Sequence, residues 1–293
     1  MTTAAAQIKS LRVAHPPLAP DLDRISALDA IVSRLPMDPF REPVSIIDKS
    51  NNDNGVLVNL DRFMLEAWSK HVAYSMRLRL RSFEPGILAE LTSGTVLAAS
   101  TLLRAHLEAA AMAALCVDAL NDCRKDGDDS TLRTLIPKTM FGAALFATAR
   151  QDELAQSFLS YAEQRTITIR SAIAALDAFI YREHAKGQLG RLYGLLCEYA
   201  HPNHRGTKDF TTSEPVDESG EHGWKIVYSP TESLNVELLR ETLDALYLSM
   251  VHGYAATELL RCADFSASDG FPYQGVPPDQ LRRIWTSVLQ RTI

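Results

Sequence analysis

A chain of 293 residues with 46% hydrophobic and 23% charged side chains has ample apolar surface for a sizeable core. Its net charge of -6 excludes a globally basic nucleic-acid binder, so any such contact would need a local positive patch. The longest apolar run, 109–117, falls short of the roughly 20 residues of a membrane span, and no membrane partner is expected.

In chain order, residues 1–20 are rich in Ala, Thr and Pro and read as a disordered tail, leaving 21–293 as a single helical domain. Within 21–35, Leu22, Ile25, Leu28, Ile31, Val32 and Leu35 share one helix face, and Pro36 ends the pattern. Residues 41–59 read as loop. A long helix then begins at Asn59 or Asp61 and is predicted to stop near Phe83, before Pro85-Gly86. Arg77, Arg79 and Arg81 fall near its C-terminal end and read as solvated partners of the helix dipole.

The stretch 87–121 is apolar on two sides, which places it in the middle of a bundle. Arg104 and Glu108 lie four apart on it and face the same way, so they should pair. Further helices are predicted over 131–136, 137–148, 151–165, 168–185 and 188–200. Residues 210–212 and 224–228 flank a Glu/Ser/Gly turn region and predict a small β-hairpin within 207–233. Helical periodicity returns over 234–263. A last amphipathic helix, 279–291, carries Leu281, Ile284, Trp285, Val288 and Leu289 and offers a surface for homo-oligomer formation. The expected fold class is all-α, a multi-helix bundle with a hairpin insertion.

Chemistry concentrates in 192–206. This segment carries Tyr193, Glu198, His201, Asn203, His204 and Arg205, groups that move protons or bind anions. The phosphate-loop, dinucleotide, serine-elbow and zinc-helix motifs are all missing. Glu198 and His201 have the E-x-x-H spacing of di-iron bundles, but no other histidine repeats it, and Pro202 pushes His201 off helical geometry. With His204, the pair could serve a mononuclear metal hydrolase. A purely architectural reading also stands. Gly190, Gly194, Cys197 and His201 line one helix side for close packing, while His201 and Asn203 cap the helix end.

Two segments carry a family likeness. These are Leu103-Arg104-Ala105-His106-Leu107-Glu108-Ala109-Ala110 and Tyr193-x-x-Leu196-Cys197-Glu198-x-Ala200-His201-Pro202-Asn203. Together they resemble uncharacterised bacterial all-helical proteins, which in turn are similar to the HEPN superfamily, over roughly residues 87–206. The resemblance implies a helical bundle, often dimeric, that binds RNA or cleaves it without metal as a toxin or defence effector. Active members carry an Arg followed four to six residues later by His, a spacing that none of the eight histidines here shows.

On the RNA-cleaving reading, His201, His204 and Glu198 do the proton transfer with Arg104 or Arg205 on the phosphate. Asn203, Tyr193 and Glu108 complete the binding set. The alternative is a non-enzymatic interaction module in which this polar set is structural. No cofactor and no metal ligand is assigned. Four scattered cysteines without a C-x-x-C pair fit reduced thiols and a cytoplasmic location.

Overall fold

Leu11, Leu18, Leu22, Ile25 and Leu28 are almost wholly removed from water, and that burial holds residues 4–30 in the fold. The computed structural model describes residues 4–35, 62–126, 131–132, 135–136, 139, 168–181, 187–200, 211–216, 223–228 and 236–261. The fold is an all-α bundle with a small antiparallel hairpin. Its elements are α1 (Ala4–Ala14), a short 3-10 turn (Pro16–Leu18), α2 (Ala19–Val32), α3 (Arg62–Thr92), α4 (Val96–Asp126), α5 (Ile169–Tyr181) and α6 (Gln188–Ala200). Strands β1 (Thr211–Pro215) and β2 (Trp224–Tyr228) and helix α7 (Val236–Arg261) follow.

The expected N-terminal tail is corrected by α1. Three alanines open a good helix, and Ile8 and Leu11, three apart, bury its inner face. Arg12 pairs with Asp23 of α2. The expected stop at Pro85-Gly86 is also corrected, because α3 runs through Pro85 to Thr92. A proline inside a helix costs about 3 kcal/mol. Here the buried stripe Leu80, Glu84, Ile87, Leu88 and Leu91 continues across it, and burial of each large apolar side chain returns about 1.5–3 kcal/mol. The break comes instead at Gly94, whose φ of 77° closes the helix while the Thr95 N–H donates to the Glu90 carbonyl at 2.9 Å.

Helix α4 then begins at Val96 and buries alanines on several sides, as its two-sided pattern predicts. By length and composition its residues Val96–Leu120 would also suit a membrane span, but most of that window is buried inside the protein. The predicted helix 188–200 is observed at those bounds, and α7 occupies most of 234–263. Of 131–148, only residues 131–132, 135–136 and 139 are described, all of them helical. The expected elements at 41–59, 151–165 and 279–291 lie outside the described residues.

The hairpin pairs Thr211 with Tyr228 through to Pro215 with Trp224. Period-two alternation puts Lys225 and Glu214 on one face, 3.3 Å apart, and Trp224 and Ile226 on the other, both exposed.

The chain's own contacts divide it into two compact units. One comprises Met1–Ala30, Arg81–Leu107 and Gly190–Ser249, and the other Ile31–Leu80, Glu108–Leu189 and Met250–Ile293. In the first, Arg24 of α2 is held by Asp244 of α7 and lies 4.9 Å from the Tyr247 ring centre. In the second, α7 approaches α4 closely at Gly253. A Cβ there would stand 2.8 Å from the Ala110 Cβ and 3.4 Å from its Cα.

Two predictions follow from this packing. Gly253→Ala should destabilise by about 1–3 kcal/mol, because the clash is with backbone and Cβ atoms that cannot swing away. Gly194→Ala on α6, where no neighbouring element among the described residues comes within 4 Å, should instead stabilise by up to about 1 kcal/mol through helix propensity. Urea denaturation of both variants checks the contrast. The second concerns His252, wholly buried in α7, whose imidazole is pushed by desolvation from 6.5 down to about 3. Between those values the unfolded chain binds a proton and the folded chain does not. Stability at this site should therefore be lost as pH falls from about 6.5 towards 3. Melting curves against pH should be flatter in that window for His252→Gln than for the wild type.

Candidate functional site

Two clusters of polar groups stand out in the described core, one in each unit. In the second unit, Arg77 of α3 lies one turn after Ala73 and three residues before Leu80, which fixes it on the buried stripe. It is fully buried and forms an ion pair with the equally buried Glu258 of α7. Arg77 Nε and Nη2 also donate to Thr257 Oγ1, each at 3.3 Å, and the Thr257 hydroxyl donates to the Tyr254 carbonyl at 2.9 Å. Arg261 Nη2 holds the other Glu258 oxygen at 2.9 Å. One carboxylate is thus gripped by two guanidinium groups, one of them sealed from water.

The reading of Arg77, Arg79 and Arg81 as solvated dipole partners is corrected: Arg79 alone of the three is exposed, and it lies well inside α3 rather than in its last turn. Arg77 is core, and Arg81 of the first unit pairs with Asp29 at 2.8 Å. The helix end that would have favoured three solvated cations is not at Phe83, because α3 continues to Thr92.

In the first unit, His106 of α4 joins α3 and α7. Its Nδ1 lies 2.7 Å from Ser249 Oγ, and its Nε2 lies 3.6 Å from Glu84 Oε1. Arg81 Nη1 approaches the other Glu84 oxygen at 3.3 Å. Ser249 and His106 are 0% exposed and Glu84 2%. A serine, histidine and carboxylate in this order have the connectivity of an activated nucleophile. The 3.6 Å gap to Glu84 is too long for a hydrogen bond, however, and burial denies a substrate access to Ser249. What the arrangement does is tie α3, α4 and α7 together.

In the sequence His106 stands only within the 103–110 motif, with no role of its own. The available signal was its place four residues before Ala110 and three after Leu103, a lone polar side chain on a buried stripe.

Of the predicted site residues, the structure brings Arg104 and Tyr193 together. The Arg104 guanidinium carbon lies 5.6 Å from the centre of the Tyr193 ring, joining α4 to α6 in the first unit. Tyr193 is buried and Arg104 half-buried. Glu198 is exposed on α6, five residues past Tyr193, so the helical period turns it away from that ring. Glu108 is half-buried on α4 within the second unit. His201, Asn203, His204 and Arg205 lie outside the described residues. Gly190 and Gly194 are exposed, and among the described residues no neighbouring element comes within 4 Å of a Cβ built on either, which runs against their expected close-packing role.

Asp177 positions the start of α6. Buried on the apolar face of α5, it accepts from the Leu189 N–H at 2.9 Å and from the Gly187 N–H. A carboxylate on the first free amides of a helix satisfies orphan donors and suits the positive end of the dipole. Sequence reasoning missed it, although an aspartate beside Ala172, Ile173 and Leu176 is out of place on an apolar face.

Among the described residues, no group of three or more His, Cys, Asp or Glu side chains is arranged to hold a metal ion. The buried Cys116 thiol is pushed up to about 12 by desolvation, so it stays protonated and unreactive. No protein-family model, curated protein or solved structure matches the chain. The HEPN resemblance therefore rests on its sequence motifs.

Breaking the buried ion pair gives a sharp expectation. Glu258→Ala should cost about 3–5 kcal/mol, since it removes the carboxylate that balances the buried Arg77 charge. The double variant Arg77→Met/Glu258→Met should recover much of that loss, because it leaves no unbalanced buried charge. A double-mutant cycle measured by chemical denaturation decides this, and a double variant as unstable as the two losses summed would contradict it.

Proposed function

We propose that this protein is a non-enzymatic helical interaction module whose internal polar groups set helix register. The observation that supports this reading is the sealing of Glu84, His106 and Ser249, the one described set with the connectivity of a nucleophile relay, at 2% exposure or less. A catalytic serine must meet its substrate, and this one meets only its own bundle. The contact of Arg104 with Tyr193 fits the same role, since a guanidinium over a ring fastens two helices and transfers no proton. The amphipathic helix predicted at 279–291 is the surface on which such a module would self-associate.

The competing account, an HEPN-like RNA-cleaving effector, assigns proton transfer to His201 and His204. Purified protein incubated with total RNA in the absence of metal should leave the RNA intact. Cleavage by the wild type that His201→Ala abolishes would overturn the module reading. In parallel, light scattering should find a self-associated species that becomes monomeric when the chain is shortened to residue 278. His106→Gln should lower the melting temperature without changing that association.

A further inference from the structure

We draw no further inference here: the strongest candidate, the exposed apolar face that Trp224 and Ile226 form on the β1–β2 hairpin, carries nothing because nothing in the structure shows what covers it.

Discussion

Taking charge out of water is the constraint on which the described core depends. An isolated ion in a protein interior costs several kcal/mol even after relaxation, so Arg77 is tolerable only where an acceptor waits at fixed distance. Glu258 supplies it from α7, and Thr257 adds a neutral acceptor from the adjoining position. This pairing is directional, whereas the apolar contacts around it are not. A slip of one residue along either helix would rotate a charge into leucine and alanine side chains. The pair contributes little net stability, but it makes wrong registers of α3 against α7 expensive.

The same logic recurs in the first unit, where an imidazole stands between a hydroxyl and a carboxylate. His106 meets Ser249 on α7 and Glu84 on α3, so three helices share one polar contact. Arg81 connects Glu84 to Asp29, which carries the chain outward to a less buried ion pair. In the second unit, small residues permit a close approach of its own helices. Gly253 against Ala110 brings α7 to α4 in the second unit, and a side chain larger than hydrogen would force them apart. Polar register and small-residue packing are thus two halves of one device: one fixes the angle along the helices, the other their separation.

For function, burial decides more than residue identity does. Serine, histidine and glutamate within reach of one another suggest catalysis until their exposure is considered; at 0–2% they are part of the interior. Cys116 is similar, a nucleophile by element and an inert thiol by environment. Asp177 uses its carboxylate to hold the first amides of α6, which sets where that helix begins.

The sequence by itself determined the helices and the hairpin, because both depend on local period. Apolar residues at three- and four-residue spacing forecast α2, α6 and α7 closely, and alternation around a turn forecast the paired strands; the helix expected from 87 begins only at Val96. It failed where a local signal was outweighed by burial: Pro85 did not end α3, and the opening residues were not a tail. The partners of the polar groups were decided only by tertiary structure. Arg77 and Glu258 are 181 positions apart, and His106 and Ser249 are 143 apart. No spacing rule spans such intervals, because the pairing arises from how separate helices are brought side by side. Arg104 with Tyr193 was half legible, since both residues stood out by type, but only the meeting of α4 with α6 gave the arginine a ring to lie over.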